Sequence, residues 1–295
     1  MNFRKLEIFY ETALCLNMTK VAKKMYISQP SISQSIHELE EEVGAKLFDR
    51  IGKKLYLTNE GSLFLNYTRR ILNLYEEGIN ALSEYNNNSK GKITIGASTT
   101  IGIYILPEII KAFSEKYPDI EISIIIENTA NIKSLILENK VDFAYVEGEI
   151  KSEEINKEKI WEDELVFICG NNHKWNNVDK IKSEDLSREK LIMREYGSGS
   201  REIIEYYLKS KKIDYNIFLE LGNTEAIKRT VAANLGIGCI SEKCIEENIK
   251  QGNLNCFRLE ERKIKRDLLL ITHKDKFISN NMNEFISFSK ENYKS

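Results

Sequence analysis

The sequence predicts a two-part chain: a mainly helical, N-terminal winged helix-turn-helix backed by a long helix, then an α/β unit of two lobes. Three observations predict it. Residues 19–50 hold two short helical patterns separated by a tight break at Tyr26-Ile27-Ser28. From Asn59 to about Tyr85 one helical pattern runs without Pro and with only Gly78 beyond its first turn. After residue 91, short β-rich runs alternate with helical ones, as in a parallel sheet with right-handed crossovers.

Phe3 to Leu16 reads as a first helix, with Leu6, Phe9, Tyr10, Ala13 and Leu14 on one side. Val21, Ala22 and Met25 share a face of the second. In the third, Ile32, Ile36, Leu39 and Val43 recur at helical period and form a stripe for burial. Ser28 is placed to cap this helix, and Pro30 falls in its first turn, where a missing N–H leaves no bond unmade. The opposite face carries Pro30, Ser33, Gln34, His37 and Glu41. Short polar side chains near a helix start suit a helix laid into the major groove. A solvated face on an ordinary helical hairpin accounts for the same pattern. The residues after this helix narrow the choice: Leu47-Phe48 is an apolar anchor, residues 49–54 form a basic, Gly-containing turn, and Leu55 to Thr58 reads as a short strand. That is a β-wing, with Arg50, Lys53 and Lys54 where a wing meets phosphate.

From Leu6 to about Gly61, the wording SQPSISQSIHELEEEVGAKLFDR, with LTNEG opening the long helix, resembles the LysR-type bacterial transcriptional regulators. One departure is Asn17-Met18-Thr19, where the family more often has a Ser-Phe-Thr-like opening to the second helix; it should affect packing only. The resemblance implies a regulator whose Gln29, Pro30, Ser31, Ser33 and Gln34 face bases or nearby phosphates, with Arg50, Lys53 and Lys54 on the backbone. It divides the chain into a DNA-binding domain (1–58), a linker helix and hinge (59–90) and an effector-binding domain (91–295). That last domain resembles a periplasmic solute-binding protein, with lobe I at about 91–162 and 267–295 and lobe II at about 163–266. The long helix carries Phe64, Tyr67, Ile71, Leu74, Tyr75, Ile79 and Leu82 at three-to-four spacing. An exposed helix with such a stripe needs a partner surface, either its own domain or a second copy. The resemblance favours a homodimer, pairing further into a dimer of dimers, so that two recognition helices read two half-sites of double-stranded promoter DNA.

Composition adds bounds. A chain of 295 residues with 42% hydrophobic residues can bury about two domain cores. The net charge of -2 does not point to nucleic acid; residues 1–58, with nine cations against seven anions, are mildly basic. No apolar run follows a basic start and none approaches the ~18 residues of a membrane span. A cytoplasmic protein with no membrane partner is expected. The five cysteines are scattered, without CxxC or a Cys/His metal spacing, so neither a zinc site nor a disulfide framework is expected. Three histidines leave little for catalysis; His37 reads as solvated or near phosphate, and His173 and Trp175 as loop residues. With no Ser/His/Asp, Cys/His or paired-carboxylate constellation, we expect no enzyme, no cofactor and no metal.

Past the polar hinge at 86–91, strands are expected at 92–97, 120–127, 141–148, 165–169, 190–194, 217–221, 238–241 and 268–272. Helices are expected at 100–117 (kinked or restarted at Pro107), 131–139, 200–212, 224–234 and 281–292. The C-terminal segment should return to the first lobe. In open parallel sheets a ligand lies beyond the strand ends, beside helix starts. Four such junctions are legible: Ser98-Thr99-Thr100, Asn128-Thr129-Ala130, Gly197 to Arg201 and Gly222 to Glu225. Hydroxyls and free N–H groups at helix starts favour an anion, and Arg201 adds charge if its side chain turns inward. Simple capping explains any one of them equally. Ser98, Thr99, Thr100, Thr129, Ser198, Gly199, Ser200, Arg201 and Asn223 are the candidate effector residues; those of the first and third junctions match effector-contact positions in the family. ASTTIGIYILP and REYGSGSR are similar to family members that respond to inorganic sulfur anions or control cysteine-related and carbon-fixation genes, which implies a sulfur oxyanion or small carboxylate. The basic cluster Arg262, Lys263, Lys265 and Arg266 reads as a solvated turn.

Two other functions compete. One is a cytosolic two-lobed binding protein without a DNA role. The other is a redox-sensing regulator using Cys239 and Cys244, against which a free cysteine commonly behaves as a buried hydrophobe.

Overall fold

The computed structural model describes residues 2–52, 54–86 and 91–293. Lys53, and residues 87–90 of the hinge, lie outside the described residues. Two compact units form, Met1–Asn86 and Asn87–Ser295.

The first unit runs α1 (Phe3–Cys15), α2 (Met18–Lys24), α3 (Gln29–Val43), β1 (Phe48–Ile51), β2 (Lys54–Leu57) and α4 (Asn59–Asn86). Short polar caps start the first three helices: Asn2 accepts from Lys5 N, Asn17 from Lys20 N and Ser28 from Ser31 N. The stripe on α3 is buried, Ile32, Ile36 and Leu39 fully and Val43 in part, against Ile8, Phe9, Val21 and Leu47. Each such side chain contributes about 1.5–3 kcal/mol on leaving water. Gly44, at φ +71°, closes α3 in the left-handed region. The Asn17-Met18-Thr19 departure is a packing matter here: Asn17 caps α2 and Met18 packs on the core.

Glu40 is the polar pin of this unit. Its carboxylate is buried; Oε1 accepts from Leu47 N (2.9 Å) and Phe48 N (3.2 Å), and Oε2 pairs with Lys46 Nζ at 2.6 Å. This ties α3 to the first strand of the wing, where β1 and β2 pair antiparallel from Phe48↔Leu57 to Ile51↔Lys54. Gly61 has a steric cause: a Cβ there would lie 2.0 Å from the Leu47 carbonyl oxygen, so the first turn of α4 rests directly on the start of the wing. The 28 residues of α4 span about 42 Å. Phe64 and Leu65 turn into the core, whereas Leu63, Tyr67, Ile71, Leu74, Tyr75, Ile79 and Leu82 are exposed.

The second unit begins β3 (Gly91–Ser98), α5 (Thr99–Tyr104), α6 (Leu106–Lys116), β4 (Ile120–Glu127), α7 (Thr129–Leu137), β5 (Phe143–Glu147) and β6 (Ile155–Gly170). It continues β7 (Lys180–Ile181), β8 (Lys190–Arg194), α8 (Gly199–Ser210), β9 (Asn216–Leu221), α9 (Thr224–Ala232) and β10 (Ile237–Ser241). It closes with α10 (Glu246–Lys250), β11 (Leu254–Leu259), β12 (Ile264–His273) and α11 (Asn280–Asn292). Pro107 restarts the helix, falling in the first turn of α6.

One sheet path, β4-β3-β5-β12-β6-β10-β8-β9, crosses the whole unit. β3 is parallel to β4 and β5, and β8 is parallel to β9 and β10. The two parallel sets are joined by β6 and β12, antiparallel partners that pass from one lobe to the other. Each lobe has its own core: Ile95, Phe113, Phe143 and Phe285 among others in the first, Phe167, Leu191, Met193 and Phe257 in the second. α11 adds Met282, Phe285 and Ile286 to the first. The sequence pattern understated this framework. The outer half of β6, residues 155–164, is mostly charged and only half exposed, without a clean alternation, and carries little strand signal, so only its apolar inner end reads as a strand. β11 has no legible signal beyond its alternation either. Among the described residues, no helix is long and apolar enough to cross a membrane.

Candidate DNA interface and interlobe site

On α3, Pro30, Ser31 and Gln34 are exposed and Gln29 and Ser33 half-buried, on the side away from the Ile32-Ile36-Leu39 stripe. Ser31 Oγ lies 2.7 Å from Ser28 Oγ, and Gln34 Nε2 donates to Glu38 Oε1 at 3.0 Å, so both side chains are held before any partner arrives. Arg50 and Lys54 are exposed on the wing, Arg50 with Nη2 3.5 Å from Met18 Sδ. A polar helix face and an adjacent cationic ribbon match the division between base reading and phosphate anchoring.

The interlobe site is more crowded than the sequence implied. Ser98, Thr100, Thr129, Ser198 and Ser200 are all buried, at the starts of α5, α7 and α8. Capping does not account for the serines that precede α5 and α8: neither Ser98 nor Ser198 makes a side-chain capping bond. Ser98 Oγ instead donates to the carboxylate of Glu147, and the Glu147 carbonyl accepts from Thr129 Oγ1 at 2.9 Å. Ser198 Oγ is buried with no hydrogen-bond partner. Asn128 and Asn223, by contrast, are ordinary caps, and Asn223 is exposed.

Two buried guanidiniums organise the hydroxyls. Arg266, with a side chain wholly buried, sits opposite Asp163 across β12 and β6. Its Nε donates to Asp163 Oδ2 at 2.7 Å, Nη1 to Ser200 Oγ at 2.7 Å and Nη2 to Thr100 Oγ1 at 3.2 Å. Glu147 Oε1 lies 3.5 Å from Nη1. Arg194, at the end of β8, donates to Thr224 Oγ1 and to Thr99 Oγ1, each at 3.2 Å, and pairs with Glu195. Burial pushes the Glu195 carboxyl up, but the hydrogen bonds from Arg194 outweigh it and hold the group below its ordinary range.

Arg266 corrects the reading of the basic cluster as a solvated turn: Arg262 and Lys263 precede β12 and are exposed, as is Lys265, but the pleat of β12 sends Arg266 inward. Arg201 is a second correction. Its guanidinium does not turn inward but lies along α8 with Glu205, and with Glu220 and the Arg194 carbonyl. Gly199 is where lobe backbones meet: a Cβ would stand 2.2 Å from the Glu147 carbonyl oxygen and 2.9 Å from Glu147 Cγ. Ala130 N donates to Gly197 O at 3.1 Å across the same seam. Beside it opens a groove of about 630 Å³, lined by Thr129, Ala130, Gly197, Glu202 and Ile203 among others.

Glu147, Asp163, Arg194, Glu195, Thr224 and Arg266 are the residues that sequence reasoning missed. Arg194 and Glu195 open the phrase REYGSGSR, Thr224 lies in the fourth junction, Arg266 in the basic cluster, and Glu147 is a carboxylate ending an otherwise apolar strand, but none of them carried a signal of its own for the site. Among the described residues no group of three or more His, Cys, Asp or Glu could hold a metal ion. Cys239 and Cys244 are buried, and burial raises both thiols, Cys244 to about 12.

A winged helix-turn-helix in one unit and a two-lobed α/β domain in the other define a one-chain transcriptional regulator with a DNA-binding head and an effector-binding domain. Two family models match, one described as bacterial regulatory helix-turn-helix protein, lysR family, over residues 3–62, the other as LysR substrate binding domain over 86–294. The chain belongs to the LysR family of bacterial transcriptional regulators. It is 33% identical over 288 residues to the HTH-type transcriptional regulator YeiE of Escherichia coli K12, covering 98% of this chain and 97% of that one. The regulatory domain of CcmR from Synechocystis PCC6803, solved in complex with 2-PG, is 27% identical with a TM-score of 0.66, covering 70% of this chain and 99% of that domain. Full-length CbnR, solved with its target DNA, shares the fold with a TM-score of 0.73 at 21% identity over 99% of each chain.

Proposed function

We propose that this regulator is switched by a small anion, a sulfur oxyanion or small carboxylate, held between the lobes. One observation carries the reading: hydroxyls from both lobes (Thr99, Thr100, Ser200, Thr224) converge on two buried guanidiniums, while Ser98 Oγ bonds the Glu147 carboxylate beside Arg266 and Ser198 Oγ is buried and unpartnered. Charge-assisted donors in a buried site suit a compact anion far better than a neutral ligand. In this reading Thr129, whose hydroxyl donates to the Glu147 carbonyl, and Gly199, packed against the same carbonyl, border the anion. Asn223 and Arg201 belong to its surroundings through Thr224 and Arg194. That a similar domain, that of CcmR, holds 2-PG supports a small-ligand role.

In the same reading, residues 1–58 bind promoter DNA. Gln29, Pro30, Ser31, Ser33 and Gln34 address the major groove, and Arg50, Lys53 and Lys54 address phosphate. Residues 59–90 join two copies through the exposed apolar face of α4, and 91–295 bind the effector, with lobes at 91–162 plus 267–295 and 163–266. Dimers pair into tetramers, and the protein works in the cytoplasm. The effector acts by binding one arrangement of the lobes better than the other. A mobility-shift assay on the DNA upstream of its own gene, across a salt series with and without sulfate and sulfite, tests this. Specific binding that weakens with salt and changes pattern with one anion, and loses that response in Ser198→Ala, is the expected result. Binding indifferent to every anion would remove the effector class while leaving the DNA role.

A further inference from the structure

Glu147 already occupies the place that an anionic effector would take. Its carboxylate accepts from Ser98 Oγ, which would otherwise cap α5, and stands 3.5 Å from Arg266 Nη1. Its side chain lies against Gly199, the first residue of the 12-residue α8, whose Ser198 cap is likewise unused. Its carbonyl takes the Thr129 hydroxyl. Thus four of the groups assigned to the effector are in contact with one glutamate of the chain itself. The charge balance agrees. Arg194 and Arg266 face three carboxylates, those of Glu147, Asp163 and Glu195, so the junction already carries more negative than positive charge. An added anion is repelled there unless a carboxylate leaves. Asp163 is fixed by Arg266 and by Ser241 Oγ at 2.9 Å, and Glu195 by two hydrogen bonds from Arg194. Glu147 is the least restrained of the three. It precedes Gly148, at φ +94°, which faces Glu202, and its carbonyl takes the hydroxyl of Thr129; Thr129 and Glu202 both line the groove.

We infer that Glu147 is an intramolecular competitor: its carboxylate fills the effector subsite of the unliganded protein, and an effector anion binds by displacing it from Ser98 and Arg266. This rests on the anion reading above. Glu147 therefore sets the affinity threshold of the switch, and the displacement couples ligand binding to the seam at Gly199.

Titration of the full-length protein with sulfate, sulfite and acetate at constant ionic strength, followed by calorimetry, tests it. Glu147→Gln keeps the shape and removes the charge. It should bind the preferred anion roughly tenfold or more tightly than the wild-type chain, the scale of one like charge removed from a partly screened site. Glu147→Asp, a methylene shorter, should fall between them. A merely structural glutamate would lower affinity or leave it alone when replaced, so equal or weaker binding by a folded Glu147→Gln overturns the displacement while leaving the anion reading standing. If Glu147→Gln does not fold, unchanged affinity in Glu147→Asp overturns it instead. No anion binding by any of the three proteins removes both readings.

Discussion

Arg266 and Asp163 face each other across β12 and β6, Nε to Oδ2 at 2.7 Å, where those two strands pass between the lobes. The same guanidinium reaches Ser200 in one lobe and Thr100 in the other. A single buried cation thereby records the relative position of the lobes. Its buried neighbours make it expensive to remove, since each carboxylate would be left without a counter-charge.

Replacing Arg266 with Met should therefore destabilise the effector-binding unit by about 3–5 kcal/mol, the usual cost of breaking a buried ion pair on one side. Urea denaturation followed by tryptophan fluorescence reads it, because Trp161 lies in β6. An unchanged midpoint would mean that water screens Asp163 and Glu147 in solution.

Glu40 predicts an acid limit for the DNA-binding unit. Burial raises its pKa, but the hydrogen bonds from Lys46, Leu47 N and Phe48 N prevail and leave it below the ordinary value of 4.5. A depressed folded value means that the ionised group stabilises the fold fully above that ordinary value, and that this contribution is lost as the pH falls through the lower folded one. Glu40→Gln should cost about 1–3 kcal/mol near neutrality, through weakened acceptors for two backbone N–H groups. The gap to the wild-type chain should close in acid. Melting curves from neutrality down to about pH 3 would show it; a gap constant with pH contradicts it.

Base reading and phosphate anchoring should separate on mutation. Lys54→Ala should weaken operator and non-operator DNA alike and lower the slope of log affinity against log salt by about 1. Gln34→Ala should cost about 1–3 kcal/mol on the operator and little elsewhere. The reverse pattern, measured by fluorescence anisotropy, would exchange the roles of α3 and the wing.

A disulfide switch at Cys239 and Cys244 is disfavoured by their surroundings, since a buried thiol with a raised pKa presents no thiolate to an oxidant. Peroxide should leave both unmodified in the native chain, with reaction confined to the exposed Cys15. Mass spectrometry after alkylation would reveal a Cys239–Cys244 bond if the expectation is wrong.

Local pattern was enough for much of this protein. The recognition helix is legible because Ile32, Ile36 and Leu39 repeat at helical period while Ser28 and Pro30 mark its start, and all of that information lies within 15 residues. The wing and the parallel strands of each lobe are legible for the same reason. Gly61 could be seen to belong to a family phrase, but its cause, the Leu47 carbonyl against which it lies, is a contact across the fold. The interlobe chemistry is of that second kind throughout. Arg266 and Asp163 are 103 residues apart, and Glu147 and Ser98 are 49 apart. In sequence, Arg266 stands in a run of cations that looks solvated, and the charged outer half of β6 hides the strand that carries Asp163. Helix starts and hydroxyls are local properties and could be read; which carboxylate Ser98 binds is decided by the pairing of β3 with β5, and which arginine is buried beside it by the register of β6 and β12, the two long strands crossing between the lobes.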